Sequence, residues 1–104
     1  YSSAASDVYK RQSAGCAITC AILSAIEKKP LRQDIAITGE IALSGEVKPV
    51  GGIHEKAFGA RRSGMKAMIL PEKNKSDIDA GTAGIEIHPV SNIQEVWSLV
   101  TSDE

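Results

Sequence analysis

Apolar and polar positions along this chain fall into short runs, and their period switches repeatedly between that of a helix and that of a strand. Ala14, Ala17, Ile18, Ala21, Ile22, Ala25 and Ile26 recur at helical spacing. Ser13 stands where an N-cap belongs, and Pro30 cannot continue a helix, which places the stop near Lys28. The Ala-rich face predicts close packing against a neighbouring element. Residues 34–43 (DIAITGEIAL) read as one strand, with Gly39 marking a bulge or a close backbone approach. Ser44 and Gly45 supply a turn, and residues 46–50 return as a shorter strand, so a hairpin is expected. Gly51 and Gly52 open a second helix over 53–63, with Gly64 as its stop. Residues 66–70 (KAMIL) form a short buried strand closed by Pro71, and Asn74 is placed to cap a brief helical turn through Ile78. Gly81 and Gly84 are loop residues, and 85–90 is a further strand. Ser91 or Asn92 caps a last helix through Leu99, with Ile93, Val96, Trp97 and Val100 on its apolar side. Alternating helices and short strands predict an α/β (α+β) class.

Residues 1–12 (YSSAASDVYKRQ) break this pattern. They carry no sustained apolar period and no signal-peptide arrangement, and they are read as a disordered or artefactual leader. Composition narrows the picture further. A length of 104 residues sets the ceiling at one domain, or a piece of a larger one. The net charge of −1 offers no basic field for nucleic acid, and 4% aromatic content argues against stacking on single-stranded bases. No apolar run approaches the roughly 18–20 residues of a membrane span. Two cysteines do not make a disulfide scaffold.

Two positions depart from plain packing logic. Lys56 lies beside the inward stripe Ile53, Ala57 and Ala60 of the second helix. A lysine there either snorkels to water or stays buried as a neutral amine able to act as a general base. Ser13 lies at the start of the first helix, where unpaired backbone amides can receive an anion. It is either a cap or a nucleophile whose attack creates an oxyanion beside those amides. The other candidates are weaker. Cys16 and Cys20 share a helix face, either as half a metal site or, preferred here, as small core residues. His54 and His88 are isolated. Glu40 shares a strand face with Thr38 and either orients polar groups or faces solvent.

SAG at 13–15, TGEIALSGEVKPVGG at 38–52, HEK at 54–56, KAMILPEKN at 66–74 and IEIHPV at 85–90 together resemble the proteolytic domain of Lon, the ATP-dependent protease. The likeness runs from Ser13 to about Leu99. It implies a truncated domain of the ribosomal protein S5 domain 2-like fold, with 13–104 as its C-terminal portion behind the 1–12 leader. It implies a Ser–Lys dyad of Ser13 and Lys56, supported by Thr38, with Ala14 and Gly15 as backbone candidates for the oxyanion and no metal. The family carries Lys-Asp-Gly-Pro before the serine, where this chain has Tyr9, Lys10, Arg11 and Gln12. ATP and Mg are expected in a separate ATPase module, since no GxxxxGK[ST] loop occurs here. Further implications are unfolded protein substrates, a hexameric ring, a bacterial-type cytoplasmic setting, and inactivity of the fragment alone. Related Lon-like domains keep the hairpin without the chemistry, so the alternative is a non-proteolytic structural or oligomerisation domain of an ATPase.

Overall fold

A computed structural model describes residues 15–78 and 84–102. The elements run α1 (Gly15–Glu27), β1 (Ile35–Ile37), β2 (Glu40–Ile41), β3 (Val47–Lys48), α2 (Ile53–Arg62), β4 (Ala67–Pro71), a 3-10 turn (Glu72–Asp77), β5 (Glu86–Val90) and α3 (Ile93–Val100). β4 lies at the centre of a three-stranded sheet of order β1-β4-β5, parallel to both neighbours. All five β4 residues are buried, as expected for a parallel strand covered on both faces. Its side chains alternate between two cores. Ala67 and Ile69 pack with Cys16 and Cys20 of α1 and Val96 and Val100 of α3. Met68 and Leu70 pack with Ile53, Ala57 and Ala60 of α2. The result is a helix–sheet–helix sandwich of the expected α/β class. Among the described residues no helix is long and apolar enough to cross a membrane.

The expected single strand over 34–43 is two strands in two sheets. β1 pairs with β4 as far as Ile37↔Ile69, and the Thr38 N–H still donates to the Ile69 carbonyl at 2.9 Å. Gly39 then adopts φ 141°, and a Cβ there would lie 3.0 Å from Val47 Cγ1. Only glycine turns the chain away so close to β3. β2 and β3 then form the expected hairpin, antiparallel with Glu40↔Lys48 and Ile41↔Val47.

α1 corrects a second expectation. Its buried face is Cys16 and Cys20, both at 0% exposure, whereas Ile18, Ile22 and Ile26 are 48%, 55% and 67% exposed. The helix is apolar nearly all round, so periodicity cannot single out the face that meets β2 and α3. The preferred reading of the cysteines as core residues holds. Burial pushes both thiols up to about 11, with Cys20 adding charge repulsion at Cys16, so both stay protonated near neutrality. α1 closes with Lys28 at φ 57° and Lys29 N–H bonded back to the Ser24 carbonyl at 3.2 Å, a Schellman-type end just ahead of Pro30.

The other ends follow sequence logic. Gly64 at φ 85° ends α2. Of the two candidate caps for α3 it is Asn92 that serves, its side chain accepting from Glu95 N–H at 3.0 Å in a capping box. Asn74, by contrast, is not a cap: it lies inside the 3-10 turn, whose N-cap is Pro71.

Arg32 ties the entry of β1 to the end of α3. Arg32 donates Nε and Nη2 to the Asp34 carboxylate at 3.0 and 2.8 Å and Nη1 to Ser102 Oγ at 3.3 Å, while Arg32 N–H reaches the Val100 carbonyl at 2.8 Å. The hydrogen bonds from Arg32 hold the Asp34 carboxyl below its ordinary range. A carboxyl depressed on folding stabilises the fold above its unfolded pKa, and that contribution is lost as pH falls through the folded value. Thermal melts at a series of acidic pH values are expected to show a shallower decline for Asp34→Asn than for the parent; identical slopes would remove Asp34 from the acid response.

Candidate active site

α2 has no side-chain cap. Gly52 precedes it at φ 71°, ψ 31°, and its carbonyl accepts from Lys56 N–H at 3.0 Å. Lys56, one turn into the helix, folds its side chain back over this turn and donates from Nζ to the Gly51 carbonyl at 2.7 Å. A Cβ on Gly52 would lie 3.3 Å from that amine, so glycine meets both the left-handed backbone and the close approach. The outcome falls between the two expectations for this lysine. Lys56 is half-buried as a residue, and its amine is anchored to backbone through an exposed hydrogen bond. It sits in an open groove of about 860 Å³, whose walls include Ala36 of β1, Ala60 of α2 and Met65.

Thr38 follows the last residue of β1 and is 1% exposed. It stands two residues after Ala36, which packs against the α2 core and lines the Lys56 groove; Thr38 itself is not among the residues lining that groove. Among the described residues its Oγ1 is buried with no hydrogen-bond partner. A buried hydroxyl left unpaired costs about 1–3 kcal/mol, so such a group calls for an explanation in function.

The start of α1 rests on the segment just after Thr38. Cys16 N–H donates to the Gly39 carbonyl at 3.2 Å, and a Cβ on Gly15 would lie 3.0 Å from Ile41 N. Gly15 therefore permits the close seating of α1 on β2. The Cys16 amide is committed to the Gly39 carbonyl. Ser13 and Ala14 lie outside the described residues, as does the 1–12 leader. Glu40 is exposed, the solvent-facing alternative, and His54 is exposed too. His88 Nε2 lies 3.1 Å from Glu86 Oε1 on β5. Among the described residues no three His, Cys, Asp or Glu side chains converge as a metal site would require.

Sequence reasoning missed one residue near this site. Asn74 is 4% exposed and grips the backbone of Val50. Its Oδ1 accepts from Val50 N–H at 2.9 Å, and its Nδ2 donates to the Val50 carbonyl at 2.9 Å and to Asp77 Oδ2 at 2.7 Å. It sits in the charged run EKNKSD, where periodicity carries no sign of a buried amide.

The chain is similar in sequence to known proteins. The profile of the family described as Lon protease (S16) C-terminal proteolytic domain matches residues 9–102, so the matched stretch begins ahead of Ser13. The Lon protease of Escherichia coli (strain K12) is 43% identical over 96 residues, which cover 88% of this chain and 12% of that protein. The mitochondrial Lon protease homolog of Homo sapiens is also 43% identical over 96 residues, 88% of this chain and 10% of that protein. The Lon protease of Trichlorobacter lovleyi is 45% identical over 91 residues, 84% of this chain and 11% of that protein. The chain thus spans about a tenth of the length of these curated relatives.

Proposed function

Because this chain belongs to the family of Lon protease C-terminal proteolytic domains, we propose that it supplies the serine endopeptidase centre of a Lon protease, with Ser13 as nucleophile and Lys56 as general base. The observation that carries the reading is the Lys56 amine, held 2.7 Å from the Gly51 carbonyl in an open groove. Thr38 Oγ1, buried without a partner among the described residues, is the acceptor this reading assigns to the Lys56 ammonium.

The reaction is acyl transfer. Neutral Lys56 Nζ takes the proton of Ser13 Oγ as that oxygen bonds to the peptide carbonyl carbon, and the carbonyl electron pair moves onto oxygen. Amides at the start of α1, with Ala14 and Gly15 as the candidates, receive the oxyanion. Charged Lys56 then returns the proton to the leaving amine as the C–N bond breaks. Water, deprotonated by the same amine, cleaves the acyl ester and restores Ser13. Thr38 Oγ1 accepts from the Lys56 ammonium and holds it in line. The chemistry draws on no metal.

The same reading includes ATP and Mg bound by a separate ATPase module, a hexameric ring, unfolded protein substrates and a cytoplasmic, bacterial-type setting. The alternative of a non-proteolytic assembly domain draws on the exposed Ile18, Ile22 and Ile26 of α1. Treating the full-length protease that contains this segment with a fluorophosphonate-type probe separates the two. The protease reading expects label on Ser13 and none in Ser13→Ala; an unlabelled, assembled protein would leave the assembly role. The isolated 104-residue chain is expected not to degrade an unfolded protein, and sustained turnover by it would contradict that expectation.

A further inference from the structure

We propose that Asn74 is a positioning residue for Lys56, acting through the Gly51 carbonyl; the inference rests on Lys56 serving as the general base. The turn that receives the lysine amine has no side chains of its own to hold it. A Cβ on Gly51 would meet nothing within 4 Å, and Gly52 is in the left-handed region. Two glycines in succession give the backbone its widest freedom, so the direction of the Gly51 carbonyl must be set from the two ends of the turn.

One end is α2 itself, through the Lys56 N–H bond to the Gly52 carbonyl at 3.0 Å. The other is Val50, and there Asn74 binds both backbone groups at once, each at 2.9 Å. The amide thus does for Val50 what a neighbouring strand would do. Its orientation is fixed in turn by Asp77, which accepts the second Nδ2 hydrogen at 2.7 Å. Both donor hydrogens are used and the carbonyl is paired, so the buried amide is satisfied in one orientation only. With Val50 clamped and Gly52 locked into the helix, the Gly51 carbonyl between them points at Lys56 Nζ at 2.7 Å. Asn74 touches no reacting atom and acts by aiming a group that does. A misplacement of about 1 Å in a reacting group can cost on the order of a hundredfold in rate.

The test is a double-mutant cycle in the full-length protease, reading the rate of Ser13 labelling by the fluorophosphonate-type probe. Asn74→Ser removes the two-point grip. Asn74→Asp keeps the shape but sets a carboxylate against the Val50 carbonyl and Asp77. Each is expected to slow labelling about tenfold or more. Combined with Lys56→Ala, each is expected to add less than about twofold, because the amine it aims is gone. A role confined to general stability would repeat its full loss in both backgrounds, and that result overturns the proposal. Labelling of both Asn74 variants at the parent rate overturns it as well, with Lys56 untouched as the base. So does failure of both to fold, read by circular dichroism on the same preparations, since the grip would then serve the fold. If Lys56→Ala alone labels at the parent rate, the general-base reading itself has failed, and the inference falls with it.

Discussion

Replacing Lys56 by alanine in the full-length protease is expected to lower Ser13 labelling and peptide hydrolysis by about a thousandfold or more. Removal of a triad's base in serine proteases has effects of that order or larger, because the nucleophile is then no better than a free hydroxyl. The more telling replacement is Lys56→Arg. Arginine keeps the charge, the reach and a donor for the Gly51 carbonyl, but a guanidinium does not give up its proton under any relevant condition. If the work of Lys56 were electrostatic or structural, Lys56→Arg would retain most of the activity. If Lys56 accepts the Ser13 proton, Lys56→Arg falls as far as Lys56→Ala. A Lys56→Arg protein that labels within a few-fold of the parent would exclude proton transfer as its role.

The parts of this centre that were legible in sequence share one property: each breaks a local pattern. Lys56 stands beside an apolar stripe that the structure confirms at Ile53, Ala57 and Ala60. Asn92, one of the two caps the sequence offers, stands just ahead of an apolar helix and caps it. The paired glycines at 51 and 52 interrupt a strand-to-helix passage and mark the turn that receives the lysine amine. What stayed hidden breaks no pattern. Gly39 signals a close backbone approach, but IAITGEIAL keeps the look of one strand on either side of it, because the switch between sheets is set by Val47 and Pro71 arriving from elsewhere. α1 is apolar on most sides, so its buried face is chosen by its partners β2 and α3. The grip of Asn74 on Val50 spans 24 positions, and a polar residue in a charged run gives no hint of a distant backbone partner.

The second large effect concerns Thr38, where stability and activity are expected to move in opposite directions. Its Oγ1 is buried without a partner among the described residues, and the residue is 1% exposed. Thr38→Val keeps the branched shape and replaces the hydroxyl with a methyl that needs no partner. Removing an unpaired buried hydroxyl should recover about 1 kcal/mol or more. In a domain of this size that corresponds to a rise in melting temperature of about 4–8 °C per kcal/mol. The same substitution removes the acceptor proposed to hold the Lys56 ammonium, so Ser13 labelling is expected to fall about ten- to a hundredfold. A residue kept at a cost to the fold and a gain to the chemistry is what a stability–activity trade-off predicts. Thr38→Ser separates the two contributions. It restores the hydroxyl but leaves a methyl-sized void, so it should melt below the parent while recovering much of the labelling rate. The account fails if Thr38→Val melts below the parent and labels at the parent rate, because the hydroxyl would then serve packing and not the lysine.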